Sequence, residues 1–262
     1  MAAAIGALIT TLPSGQRLNS NDLVISIESL YRMYPLCQIF VALHSHASIA
    51  LNSVTGDLSS FALATVGVSP TVIIASSNTV SKYYERFMRP HIGLGSRIAR
   101  FIQVRSLDAG VMSSHNLLSQ LATVGPTAEL SLDKLRLMCI SHRSGDTTEN
   151  CLNYEQLTDL RIFTGARIVY ALTAPGVAGA ITQTNVFDYR RFSGNSHFGP
   201  PLSSVEVVLT DVDEDNEKPT AGKVRTKKKK KKKRKTERKK ERRPFYTPVL
   251  TYFDRSLCLV PR

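Results

Sequence analysis

Apolar residues along this chain fall into two alternating patterns. Short runs rich in β-branched residues read as buried strands: "ASIALN" (Ala47–Asn52), "SPTVIIASS" (Ser69–Ser77), "LDKLRLMCIS" (Leu132–Ser141) and "ARIVYALT" (Ala166–Thr173). Between them lie stretches that read as helices: "SLYRMYPLCQIFVALHSH" (Ser29–His46), "GDLSSFALATVGV" (Gly56–Val68), "NTVSKYYERFM" (Asn78–Met88) and "NYEQLTDLRIFTG" (Asn153–Gly165). Asn78 is the expected N-cap of the third, and the fourth is expected to end near Gly165. "SSVEVVLTDVDED" (Ser203–Asp215) alternates in the manner of a half-exposed strand. Strand and helix in repeated order predict an α/β domain. Ala47–Asn52, Pro70–Ala75, Leu135–Ile140 and Arg167–Leu172 should lie in one mostly parallel sheet flanked by helices.

The pattern stops after Asp215, and charge explains the change. The net charge is +13 over 262 residues. Between Lys223 and Arg243, 16 Lys and Arg residues face only Glu237 and Glu241, so this run carries +14 and the remainder −1. The folded part is near neutral, with no face evidently built for nucleic acid. Residues 216–244 lack the apolar content to offset the entropy of ordering and are expected to be disordered. The division is an N-terminal segment (1–21), an α/β domain (22–215), a Lys/Arg-rich insert (216–244) and a short apolar C-terminal tail (245–262). The insert is either a nuclear-localisation or polyanion-binding run, binding polyanions non-specifically through Lys223–Arg243, or a low-complexity insertion.

The four cysteines, Cys37, Cys139, Cys151 and Cys258, are scattered without a CxxC pair or His partner at ligand spacing, which argues against structural zinc. They fit reduced thiols in a cytoplasmic protein, with the nucleus as the alternative through the Lys-rich run. Gln38, His44, Ser45 and His46 interrupt the apolar run from Pro35 to Val54. It reads as a buried helix and strand rather than a transmembrane span, and peripheral membrane contact stays open.

Candidate chemistry is sparse. His44 and His46 would share one face of a strand, but a metal site needs a third ligand and none is recognisable. "SHRSGDTTEN" (Ser141–Asn150) brings Ser, His and Asp close in sequence, although a hydrolytic triad is defined by geometry and a polar loop explains the same residues. "GLGSRIAR" (Gly93–Arg100) lacks a dinucleotide fingerprint and reads as a connection with a helix start. "RIVYALTAPGVAGAI" (Arg167–Ile181) has the form of a strand running into a ligand-binding loop, yet it holds no carboxylate, histidine or lysine after its first residue.

That stretch carries a resemblance. "YALTAP" (Tyr170–Pro175) resembles the Tyr-Gly-x-Thr-Glu motif of the adenylate-forming (AMP-binding) superfamily, closest to the long-chain acyl-CoA synthetase-like domains. "YPLCQIF" (Tyr34–Phe40) is similar to that family's Pro-Leu-x-His segment. The run from Gly56 to Phe87 resembles its next helix, strand and helix, and "HFGPPLSSVEVVLTDVDED" (His197–Asp215) its following strand. The resemblance spans roughly Asp22 to Asp215. It implies ATP or AMP and Mg²⁺ as cofactors and an acyl or adenylate ligand, with Tyr170 near the adenine and Thr173 near the phosphate, both lining one pocket.

The departures weaken the implied chemistry. The metal-binding Glu position is Ala174, the motif Gly is Ala171, and the His position is Gln38. The phosphate loop with its lysine is missing before Leu23, and the ribose-binding Asp, the hinge and the C-terminal lid are absent. Adenylation relies on charge neutralisation around a triphosphate. The expectation is therefore a degenerate adenylate-forming fragment without activity of its own. The alternatives are a non-catalytic binding or scaffold module, and a basic-tailed nuclear or nucleic-acid-associated protein.

Overall fold

A strand buried on both faces reads as a continuous apolar run, and that property builds the centre of this molecule. The computed structural model describes residues 1–52, 65, 67–88, 94–112, 132, 134–146, 150–190, 194–207, 222–225 and 250–253. Strands β1 (Leu23–Ser26), β2 (Ser48–Ala50), β3 (Val72–Ser76), β4 (Leu137–Arg143) and β5 (Arg167–Thr173) are parallel, and β6 (Thr182–Gln183) pairs antiparallel to β5. The order is β2-β1-β3-β4-β5-β6. The expected α/β class and mostly parallel sheet are therefore observed.

Period-two alternation sorts the strand residues into two cores. Val24, Val72, Ile74, Leu137, Cys139, Val169 and Ala171 face helices α1 (Ala2–Thr11) and α2 (Met33–His44), with Leu8, Cys37 and Ala42 filling the layer. Ile25, Ile73, Met138, Ile140, Ile168 and Tyr170 face the other way. There they meet Val80 and Tyr83 of α3 (Ser77–Tyr83) and, from the later helix Tyr154–Thr164, Leu157 and Leu160. A further helix, α4 (Leu94–Asp108), precedes β4, which makes Tyr154–Thr164 α5. Asp22 closes the amino end of the sheet: buried, it accepts from Arg136 Nε at 2.6 Å and Nη2 at 2.5 Å and from the Thr71 hydroxyl at 3.0 Å.

Several boundaries differ from expectation, each for a local reason. Ser76, not Asn78, caps α3, its Oγ accepting from the Thr79 amide at 3.3 Å. That helix runs on as one π turn over Tyr84–Met88. On α5 the capping box of Asn153 and Gln156 starts the helix, and Gly165 ends it in the left-handed conformation at φ 61. β1 is a strand that its short run "LVIS" did not announce. His44 ends α2 and His46 sits at φ 56, so the two do not share a strand face. Ser203–Val207 form no strand, and the rest of that expected strand lies outside the described residues, as do most of Gly56–Val68 and of the insert. The insert departs from a structureless run at Gly222–Arg225, which pairs antiparallel as β7 with β8 (Leu250–Phe253) of the C-terminal tail. Thr251, Tyr252 and Phe253 are strand formers, which favours that pairing. Among the described residues no helix is long and apolar enough to cross a membrane.

Candidate functional site

The chain leaves β1 to form β2 on one side and then returns to form β3 on the other. In open parallel sheets such a reversal opens a crevice at the carboxyl ends of the two diverging strands. Here those ends are polar: Ser26 on β1, Ser76 on β3 and Ser77 just after it, Ser141 and His142 on β4, and Thr173 on β5.

Glu28, two residues past β1, stands at this reversal and is 6% exposed. Its Oε2 accepts from the Ser141 hydroxyl at 2.6 Å and its Oε1 from Arg32 Nη1 at 3.0 Å. Arg32 also reaches Asp146 at 3.8 Å. The Ser26 hydroxyl donates to the Glu28 carbonyl at 2.8 Å, which pins the loop. A buried carboxylate needs such partners to stay charged, and half-buried Arg32 leaves this pair in reach of solvent.

On the opposite face of β4, the His142 ring is held on both nitrogens. Nδ1 lies 3.1 Å from the Ser77 hydroxyl and Nε2 lies 3.4 Å from the Cys151 sulfur. Phe198 stacks on the ring at 5.4 Å between centroids and 23° between planes, and Tyr170 approaches it at 6.5 Å. Ser77 and His142 are buried and Cys151 is half-buried.

The two residues expected to line one pocket are not brought together. Alternation along β5 turns Tyr170 with Ile168 to one face and Thr173 with Val169 and Ala171 to the other. Tyr170 is fully buried, packs on Phe198 at 4.7 Å, and its hydroxyl accepts from the Leu152 amide at 3.1 Å. The Thr173 hydroxyl donates to the His142 carbonyl at 3.0 Å and so ties β5 to β4. Thr173 does stand at the carboxyl end of its strand, as the sequence suggested.

The loop after β5 is shaped by packing. Ala174, Val177 and Ile181 make a small apolar cluster, and a Cβ at Gly179 would stand 3.2 Å from that of Ala4 on α1. Gln38 is buried beside Tyr34, whose hydroxyl donates to Gln183 Oε1 at 3.3 Å. Burial, and then neighbouring Cys139, hold the Tyr34 hydroxyl far above the usual phenol range. Burial likewise raises the Cys37 thiol and pushes Cys139 up to about 12.

Mg²⁺ does not fit the β5 end. Magnesium takes hard oxygen ligands from one or two carboxylates, and Ala174 offers a buried methyl among Val177 and Ile181. Glu28 was not singled out by sequence reasoning. Its signal was a lone acid inside the apolar "LVISIESLY" stretch.

No family model matches this sequence, and no curated protein matches it. Solved structures do. The anthranilate CoA ligase AuaEII, solved in complex with anthranoyl-AMP, is similar at TM-score 0.50 and 14% identity, over 84% of this chain and 33% of that one. The inhibitor-bound N-terminal domain of FACL13 from Mycobacterium tuberculosis is similar at TM-score 0.51 and 8% identity, over 85% of this chain and 43% of that one. The chain thus spans less than half the length of the structures it matches. At these identities the likeness is one of fold: this chain has the α/β fold of part of an acyl- or aryl-CoA ligase.

Proposed function

We propose that this chain is a fragment of an adenylate-forming domain of the acyl-CoA ligase type, which binds an acyl-adenylate or one of its halves and does not carry out adenylation by itself. One observation carries the reading: the sheet reverses its winding between β1 and β3 and gathers Glu28, Ser76, Ser77, Ser141 and Thr173 at the carboxyl ends there. The fold is one in which anthranilate CoA ligase was solved with anthranoyl-AMP. In this reading Thr173, at the carboxyl end of β5, is the remnant of an adenylate site, and Tyr170, buried on the other face, does not line it.

The residues account for binding better than for turnover. Glu28 and Arg32 form a fixed ion pair beside the crevice, which suits it to a polar ligand. Attack on a triphosphate requires a cation against the developing phosphoryl charge, and removing one such donor commonly costs on the order of 10² to 10³ in rate. At the β5 end the carboxylate that would hold a metal is a methyl. No step of adenylation is therefore assigned to this chain.

Calorimetry with ATP, with and without Mg²⁺, and with a non-hydrolysable acyl-adenylate analogue tests the proposal. ATP should bind weakly and with little magnesium dependence, while the analogue binds more tightly. Tight magnesium-dependent ATP binding, or acyl-dependent pyrophosphate exchange, would refute the loss of activity. No heat of binding for the analogue at millimolar concentration would refute the ligand.

A further inference from the structure

The three described cysteines differ sharply in their surroundings. Cys37 is 0% and Cys139 4% exposed, each inside the α1–α2 core layer. Cys151 is half-buried, lies in the connection between β4 and α5, and has an imidazole nitrogen 3.4 Å from its sulfur. We infer that Cys151 is a nucleophilic thiol poised for covalent modification by small carbon electrophiles, with His142 as its proton acceptor and Ser77 as the residue that positions the imidazole.

Both ring nitrogens have a partner, Ser77 on Nδ1 and Cys151 on Nε2, and either tautomer satisfies them. If the Ser77 oxygen accepts from Nδ1–H, Nε2 keeps its lone pair and points it at the Cys151 sulfur. A base held in this way, with a third group orienting it, is the arrangement that activates a thiol. Ring rotation is restricted by Phe198 stacked on the ring and by Tyr170, which packs against Phe198. Ser77 opens α3 just past β3 and His142 lies on β4, so the register of these two strands sets their spacing, while Cys151 comes from the connection before α5. Tyr170 is the titratable group facing the ring from β5; Glu28, Arg32 and Asp146 lie past Ser141, whose side chain turns to the other face of β4.

With iodoacetamide as the probe, the sulfur forms a bond to the methylene carbon, the carbon–iodine bond breaks and iodide leaves. The S–H proton passes to His142 Nε2 and then to water. A thiol beside such a base titrates below an isolated one. At pH 6 the thiolate supplied by the base outweighs the accompanying loss of intrinsic nucleophilicity. Near pH 9, where an isolated thiol is itself largely ionised, the order reverses, because the less basic thiolate is the weaker nucleophile.

The test labels the full chain with iodoacetamide at pH 6 and pH 9 and maps each cysteine by mass spectrometry. Cys151 should react at pH 6 faster than glutathione under the same conditions. His142→Gln should remove that excess at pH 6 and leave the pH 9 rate unchanged or higher. Ser77→Ala should lower the pH 6 rate by a smaller factor, because the ring keeps its stacking. Cys37 and Cys139 report folding, since they stay unlabelled while their layer is intact. The inference is overturned if Cys151 reacts at pH 6 no faster than glutathione, or if His142→Gln lowers both rates equally with the buried cysteines still protected. Should His142→Gln expose those two cysteines, the wild-type comparison and Ser77→Ala decide alone, and an unchanged pH 6 rate in Ser77→Ala removes the positioning role.

Discussion

Replacing Gly199 with alanine isolates what the seam between β6 and the following loop contributes to stability. Gly199 has φ +75, a conformation that costs an L side chain about 1–2 kcal/mol. Space is the second obstacle. A Cβ there would lie 2.6 Å from the Gln183 carbonyl carbon and 2.7 Å from Thr184 Cα, and closer still to the Gln183 oxygen. All three are backbone atoms, so the segments must part. Parting them endangers the bond from the Gln183 amide to the Pro200 carbonyl at 3.2 Å and that from the Leu202 amide to the Ile181 carbonyl at 3.0 Å. At about 1 kcal/mol each, the total loss is about 3–4 kcal/mol. Gly176 is the control. It has φ +80 in the turn after Pro175, with nothing within 4 Å of an added Cβ, so its alanine variant should lose only the conformational part. The difference of about 2 kcal/mol corresponds to about 4–8 °C in Tm for a domain of this size. Urea titration with an unchanged slope, supported by thermal melts, measures it. Equal losses for the two variants would refute the claim that close backbone approach excludes a side chain at 199.

Two further outcomes follow from buried charge. Burial raises the Asp22 carboxyl, but hydrogen bonds from Arg136, the Asn19 amide and Thr71, with the Arg136 charge, outweigh it and leave the carboxyl below its usual range. A depressed carboxylate stabilises the fold above its unfolded value near pH 4 and loses that contribution as pH falls through the folded one. Arg136→Met should therefore cost about 2–3 kcal/mol at neutral pH, with the gap to wild type narrowing below about pH 4; a gap that stays constant in urea titrations from pH 7 to pH 3 would contradict this. Ala174→Glu places a carboxyl among Val177 and Ile181, where burial raises its pKa. It should destabilise by about 2–4 kcal/mol at pH 7, less at pH 4, and create no pyrophosphate exchange; measurable exchange would show that one carboxylate suffices.

The central strands were legible because burial on both faces leaves an uninterrupted apolar run. Val72–Ser76, Leu137–Arg143 and Arg167–Thr173 lie close to where the sequence put them. Their polar carboxyl ends were harder to read, since Ser141, His142 and Arg143 look like loop residues and are strand because β5 pairs with them. β1 went unseen: four residues flanked by Asp22 and Glu28 carry little local signal, and pairing on both sides makes them a strand. Without β1 the reversal of winding could not be located, so attention fell on the β5 loop instead of Glu28. The separation of Tyr170 from Thr173 was available in principle, because positions three apart on a strand face opposite ways. The meeting of Ser77, His142 and Cys151 was not, since it depends on the register of β3 against β4.

The contact between Ala4 and Gly179 has a consequence for how the molecule is made. The apolar side of α1 is covered by a loop that leaves the ribosome only after nearly all of the α/β domain has been synthesised. Until then Ala7 and Leu8 lack part of the layer that buries them. Closing so long a loop comes late in folding, because its entropy cost precedes any gain from contact. Docking of α1 is therefore completed late in assembly, and the side of the helix that meets Gly179 stays open in the nascent chain until then.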